Sequence, residues 1–393
     1  MVKLSKFYIA LACSALCVFG CAQEAKEPAK EQEITEQAEA ETTTKPEETP
    51  QETEEQPEEV QEPENESVLH PVTAEGIDYL STDGIELEAG TEIAMVATSS
   101  SNSFYSQVKK GASAAVSDLN KALGYTGKGK LKLSYAAPKN DSVIEQINII
   151  DQFLDKAPDA ICIAFSDATA SKTQIQMAKN NGIQLIAFDT PEDSKAMEAL
   201  VATDNHQAAT EAAGKLFNAV NYQGKIAVIV HSSLTQTGLD RYRAITSEFA
   251  QKYGNKDLRF VDVIYLAQDN RSGKEILDEL LEKHPDLSGI ICTDLSTTEM
   301  VINYTKKLEK EMKGKRSFQI VGFDVSEKII NAVKDGTVLG TVAQDPYSMG
   351  YATVIAAARS VAGMENAEAI HTSHLWIDSS NLDSEEAKSL LNY

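Results

Sequence analysis

From about residue 72 onward, short apolar or β-branched runs alternate with longer stretches in which apolar residues recur every three or four positions. The runs at 92–98, 130–136, 160–165, 184–188, 199–203, 225–231, 259–265, 289–292, 319–323 and 338–343 have the continuous hydrophobicity of strands buried on both faces. Between them, Ile147, Ile150 and Leu154 share one face of a helix predicted over 144–154. Segments 166–182 and 272–284 read the same way, with Gly182 as a C-cap. Strand–helix alternation with short connections specifies parallel sheets covered by helices. Ten strands exceed one ordinary sheet, so two doubly wound α/β sheets are expected. Residues 72–90, with a short hairpin around 82–84, are assigned to neither.

A different pattern precedes this body. Lys3 and Lys6 lead into an apolar run over 7–20 whose only clearly polar member is Ser14. That is the anatomy of a secretory signal over 1–20, too short to span a bilayer, which takes about 20 apolar residues. The run ends Val18-Phe19-Gly20-Cys21 and resembles a bacterial lipoprotein box, which implies a lipid on Cys21. Residues 22–68 hold 17 Glu against three Lys, with five prolines and almost nothing apolar. Such a stretch cannot bury enough surface to offset its ordering entropy, so 21–71 is expected to be an acidic, disordered tether.

Charge and cysteine narrow the function. The chain carries a formal −24, of which the 22–68 segment supplies −14. No basic stripe exists for phosphate contacts, so nucleic acid is not an expected partner. Cys162 and Cys292 sit in apolar runs, as small buried hydrophobes, and no disulfide framework is supported.

Ligands of open α/β sheets bind beyond the carboxyl ends of the strands. There the chain places Asn102, Phe104 and Tyr105, then Ser166-Asp167, Asp189-Thr190, Asp204-Asn205, His231-Ser232, Gln268-Asp269, Thr293-Asp294, Asp324 and Gln344-Asp345. Carboxylates and amides exchange paired hydrogen bonds with vicinal hydroxyls, while aromatic rings cover C–H faces, which together is the chemistry of sugar recognition. Each residue taken singly also fits a helix N-cap.

These residues, with 93–105, 185–189, Thr203-Asp204-Asn205, Arg241-Tyr242-Arg243, His284-Pro285-Asp286, Val321-Gly322-Phe323-Asp324 and 332–336 followed by 341–345, resemble the periplasmic binding proteins of the ribose and galactose type. The resemblance runs over about 91–377. It implies two lobes closing on a ligand, joined by crossings near 203–205, 344–345 and 371–375. The N-terminal lobe would hold 91–203 and 345–371, the C-terminal lobe 204–344 and 372–393. It also implies ligand contacts from Asn102, Phe104, Tyr105 and Asp189 on the first lobe, with Thr190 a candidate beside them at the same strand end. From the second lobe come Arg241 or Arg243, Thr293 or Asp294, Asp324 and Gln344. Two departures stand out: Thr190 occupies the place of an arginine usual in ribose binders, and Gln268 that of an aromatic. The resemblance therefore implies a sugar-like ligand without specifying ribose. Trp376 is expected to pack rather than bind.

Other motifs fail on context. Gly124-Tyr125-Thr126-Gly127-Lys128-Gly129-Lys130 imitates a phosphate loop, but Leu131 follows and the segment precedes a strand. His371 and His374 lack a third zinc ligand, Asp118-Leu119-Asn120 lacks the rest of a calcium loop, and no nucleophile elbow occurs. The resulting expectation is a monomeric, lipid-anchored receptor on the extracytoplasmic membrane face. It would need no metal or cofactor and would deliver a small polar ligand to the permease of an ABC transporter. A receptor subunit for a sensor kinase or chemoreceptor, a secreted α/β enzyme, and a DNA-binding repressor are the competing readings.

Overall fold

The computed structural model describes residues 68–391, apart from 168, 193–195, 254–256 and 313–317. The expected signal, Cys21 and the tether up to residue 67 lie outside the described residues. The first strands form a small antiparallel hairpin, β1 (Thr73–Ala74) with β2 (Ile77–Asp78). They are followed by β3 (Glu92–Val96), β4 (Lys132–Ala136), β5 (Ala160–Ile163), β6 (Gln184–Phe188) and β7 (Ala199–Thr203). Then come β8 (Gly224–Val230), β9 (Leu258–Tyr265), β10 (Leu287–Cys292), β11 (Gln319–Phe323) and β12 (Gly340–Gln344), and last β13 (Ala369–Thr372) and β14 (His374–Asp378).

Two six-stranded sheets result, ordered β4-β3-β5-β6-β7-β13 and β9-β8-β10-β11-β12-β14. The first is parallel throughout; the second is parallel except for β14, which runs antiparallel to β12. The chain therefore passes between sheets three times: after β7, after β12, and at Ser373, between β13 and β14. These are the two doubly wound α/β sheets expected from the hydrophobic pattern, in the two-lobed arrangement that the resemblance implies. Thr372 closes β13 and so belongs to the first sheet.

Helices cover both faces of each sheet. In the first lobe, α1 (Ser103–Ala122) and α9 (Pro346–Val361) pack on one face; α2 (Val143–Leu154) and α3 (Lys172–Asn180) pack on the other. In the second, α4 (Asn205–Ala219) and α5 (Gln236–Tyr253) lie opposite α6 (Gly273–Lys283), α7 (Leu295–Met312) and α8 (Glu327–Lys334). The final helix, α10 (Glu385–Leu391), covers a small core with Ala343 and Ile377. Helices α1 and α9 touch backbone to backbone: a Cβ at Gly111 would fall 1.9 Å from the Tyr347 carbonyl, and one at Gly350 1.9 Å from that of Val108. Cys162 and Cys292 are buried free thiols.

Some local expectations change. The helix expected over 166–182 starts only at Lys172, because the Asp167 carboxylate captures the Thr169 and Ala170 N–H groups in a turn. The hairpin is not at residues 82–84, where a turn forms without flanking strands, but at Glu75-Gly76, both at positive φ. Residues 72–90 belong to the first lobe: Val72, Tyr79, Ile85 and Leu87 are buried in its core. Residues 68–71, expected in the tether, are held by the body. The His70 N–H donates to Ser348 at 3.0 Å, and its ring nitrogens pair with Asp345 and Ser389, both at 2.8 Å. Trp376 packs in the second lobe's core, 5% exposed, and Gly340 leaves room for its ring, since a Cβ there would fall 2.2 Å from it.

Candidate functional site

The carboxyl ends of strands from both sheets border one cavity of about 330 Å³, within the roughly 300–1,000 Å³ range of small-molecule sites. On the first lobe, Asn102 ends β3's loop and caps α1, its side chain accepting the Phe104 N–H at 2.9 Å. That cap aims Phe104 and Tyr105 at the cavity, their rings edge to face with centroids 5.2 Å apart. The Tyr105 hydroxyl donates to Asp189 at 2.6 Å. Behind them, the buried Gln146 side chain donates to the carbonyls of Ala97 and Ala164 and accepts the Ser166 N–H at 3.0 Å. It thereby fixes the loops after β3 and β5. Ser166 and Thr190 line the cavity with buried hydroxyls that meet no hydrogen-bond partner among the described residues.

On the second lobe, Arg241 of α5 is the organising cation. Its Nε donates to Asn205 at 2.8 Å, Nη1 to the Thr293 carbonyl at 2.6 Å and Nη2 to Gln344 at 3.1 Å. The guanidinium also lies over the Phe323 ring at 4.3 Å. Gln344, at the end of β12, accepts from Thr203 at 2.7 Å and donates to Asp324, so it ties the end of β7 to the second sheet at the hinge. Asp324 also accepts the Leu295 N–H at 2.8 Å. His231 shares hydrogen bonds with Thr293 at 2.8 Å and Thr235 at 3.1 Å, while Asp294 caps α7 by accepting from Thr297 and Ser296.

Asp189 and Asp324 occupy equivalent places, each directly after the fourth strand of its sheet in chain order, and each has a positive φ, 55° and 65°. Aspartate tolerates this left-handed geometry better than most residues; strain of this kind gathers at functional sites. Their titration is perturbed as well. Burial pushes the Asp189 carboxyl up to about 6, with the Tyr105 hydrogen bond and Arg241 opposing and Asp324 and Asp141 adding to the rise. Burial likewise raises Asp324, although Arg241 and Gln344 oppose it. Asp141, at the solvent-facing rim, is raised by the loss of water on its inner side, with a smaller contribution from Asp294. Burial holds His231 down to about 4 and therefore neutral at pH 7. It works against ionisation of Asp294 too, but the charge that His231 takes on at the low pH where Asp294 titrates, with the Thr297 and Ser296 hydrogen bonds, more than offsets it and leaves that group below its ordinary value.

Of the sequence-predicted residues, Asn102, Phe104, Tyr105, Asp189, Thr190, Arg241, Asp294, Asp324 and Gln344 line this cavity. Thr293 stands behind the wall, fully buried, and joins Arg241 to His231. Arg243 points elsewhere: its guanidinium is 62% exposed and pairs with Asp240 at 3.3 Å. Residues two apart on a helix face different sides, and only Arg241 faces inward. Asp141, Thr98 and Ser296 line the cavity without having been singled out from sequence. Asp141 lies in the loop after β4, one residue before Ser142, the N-cap of α2, a strand-end position like the others.

A family model described as periplasmic binding protein domain matches residues 93–365. The chain belongs to this family. Its cavity is the cleft between the two lobes of a type I periplasmic binding protein, the ribose and galactose type, which is a binding protein and not an enzyme. Among curated relatives, it is 22% identical over 223 residues to the ribose import binding protein of Bacillus subtilis, spanning 56% of this chain and 68% of the relative. It is 24% identical over 230 residues to a xylitol-binding protein of Mycolicibacterium smegmatis, spanning 56% of this chain and 61% of the relative. Among solved structures, an Agrobacterium vitis ABC transporter solute binding protein with bound D-fucose superposes with a TM-score of 0.68 at 25% identity, covering 76% of this chain and 99% of the other. A carbohydrate transporter solute binding protein of Agrobacterium radiobacter, in complex with D-arabinose, has a TM-score of 0.68 at 22% identity, with 77% and 99% covered. As a periplasmic binding protein, the chain belongs with proteins that work outside the cytoplasm.

Proposed function

We propose that this periplasmic binding protein is a lipid-anchored, extracytoplasmic receptor that captures a sugar and hands it to the permease of an ABC transporter. The observation that carries the reading is the cavity itself: carboxylates, an amide and hydroxyls from both lobes converge beside Phe104 and Tyr105. That set pairs hydrogen bonds with a polyol and covers its C–H faces. The names of the relatives point the same way, since they refer to ribose, xylitol and, in a Pseudomonas aeruginosa protein, ribose and allose. The binding residues are Asn102, Phe104, Tyr105, Asp189 and Thr190 on one lobe and Arg241, Asp294, Asp324 and Gln344 on the other.

Mechanically, a sugar that touches both lobes binds the closed state more tightly than the open one and shifts the population toward it. The permease then reads closure. A single chain carries both halves of the site, so a monomer suffices. Cys21 is the lipidated residue, and the acidic stretch after it is the tether.

Thermal melting against a panel of pentoses, hexoses, polyols and nucleosides tests the assignment. A ligand at 100 times its Kd stabilises the folded state by about 2.7 kcal/mol, so one or a few sugars should raise the midpoint clearly. A flat response across the panel removes the sugar function.

A further inference from the structure

Of the side chains lining the cleft, four are carboxylates (Asp141, Asp189, Asp294 and Asp324) and one, Arg241, is a permanent cation. Each nitrogen of that guanidinium already donates within the protein, to Asn205, Thr293 and Gln344. His231 adds no positive charge, because burial keeps it neutral. The cleft is therefore strongly negative.

The carboxylates are also split between the lobes. Asp141 and Asp189 stand on the first, Asp294 and Asp324 on the second, and they repel across the gap: the charge on Asp294 raises Asp141, and that on Asp324 raises Asp189, although Arg241 on the second lobe draws on Asp189 more strongly than Asp324 pushes against it. Arg241 offsets one of the four carboxylates, and the excess of negative charge on the opposing jaws resists closure; a further positive charge placed between them offsets it. Among the described residues, no group of three ligating side chains is arranged to hold a metal ion, so the missing charge is not supplied by a site built for a divalent cation. An independent sign of what fills the cleft comes from Ser166 and Thr190. Both are more than nine-tenths buried, both line the cavity, and neither hydroxyl has a hydrogen-bond partner among the described residues. Buried hydroxyls left in this way are costly unless a ligand meets them.

We propose that the ligand is an amine-bearing sugar whose protonated amino group lies between the carboxylates of the two lobes while its hydroxyls meet Ser166 and Thr190. The inference rests on the sugar-binding reading and deepens it by naming the ligand's charge. It also gives closure a trigger: the cation neutralises the repulsion between the jaws, which a neutral sugar of the same shape leaves in place.

The test is calorimetric titration of the full-length protein with matched pairs: D-glucosamine against D-glucose, D-galactosamine against D-galactose, and D-mannosamine against D-mannose. The N-acetyl derivatives, which carry no charge, serve as controls. At least one amine should bind about tenfold or more tightly than its hydroxyl partner, a difference of about 1.4 kcal/mol. Acetylation should erase the gain, and Asp141→Asn and Asp294→Asn should each narrow the amine-to-hydroxyl ratio. Equal affinity within every pair, preference for the neutral sugars, or a response to calcium chloride alone would overturn the inference while leaving sugar capture standing. Failure of every sugar, charged and neutral, would instead bring down the functional reading on which it rests.

Discussion

Asp189 combines a left-handed backbone at φ 55° with a carboxyl pushed from 3.8 to about 6 by burial. The unfolded chain releases this proton near pH 4, but the folded chain holds it to about 6. Across that window the folded state binds more protons, so stability falls as pH rises and stays reduced above it. The loss corresponds to roughly 3 kcal/mol for such a rise. Asp189→Asn removes the desolvated charge yet keeps an oxygen to accept from Tyr105. In the absence of ligand, the variant should melt above the parent at pH 7, the gap closing toward pH 4, and it should lose sugar binding. Melting curves at several pH values check this; a gap that does not depend on pH would mean the carboxyl is not desolvated. At this scale the sequence exposed the position but not the geometry. Strand-end placement picked out Asp189 and Asp324 from residue type alone, whereas their matching positive φ values depend on the loops around them. Arg241 and Arg243 were inseparable for a related reason: helical spacing says that they face apart, not which one faces the cleft.

Among elements, the closest contact is that of α1 with α9, made through Gly111 and Gly350. Glycine inside a helix is less stable than alanine by about 1 kcal/mol, so propensity alone favours Gly350→Ala. The structure reverses that sign, because the new methyl would sit 1.9 Å from the Val108 carbonyl. Overpacking of this kind costs about 1–3 kcal/mol, and the clash is with backbone, which cannot rotate away. Denaturant unfolding should show Gly350→Ala destabilised; a gain would mean that the helices separate freely. The ten strands read from hydrophobicity all form, since parallel strands buried on both faces leave a continuous apolar run. The strands that escaped notice obey other rules. Strand β13 alternates exposed Ala369 and His371 with buried Ile370 and Thr372, and β14 intersperses His374 and Asp378 with Leu375, Trp376 and Ile377, so neither reads as a continuous apolar run. The identical order of the two sheets is likewise invisible in the chain, because backbone connectivity sets it while the side chains differ.

For the whole molecule, the hinge and the N-terminal end of the body meet at His70. Its ring joins Asp345, which caps α9 just after the second crossing, to Ser389 on α10, and the Asp345 hydrogen bond raises the imidazole's pKa against the effect of burial, with charge on Asp345 and Glu386 adding to it. A raised histidine stabilises the fold fully below its unfolded value of about 6.5, and the contribution is lost as pH climbs through the higher folded value. His70→Ala should therefore lower the melting point most near pH 6 and progressively less in alkaline buffer. A hydrogen bond to a charged partner contributes about 1.5–3 kcal/mol; an equal loss at every pH would point to packing instead. The proposed lipid on Cys21 is also tested at this scale. On the proposed reading, the acidic sequence between Cys21 and residue 67 serves only to connect the lipid to the body. Cys21→Ser should then shift the protein from the membrane to the soluble fraction while leaving its affinity for sugar unchanged, which fractionation and titration of the same preparation measure. Continued membrane attachment would refute the lipid on Cys21. An altered affinity would mean that Cys21 acts on the binding cycle as well as on location.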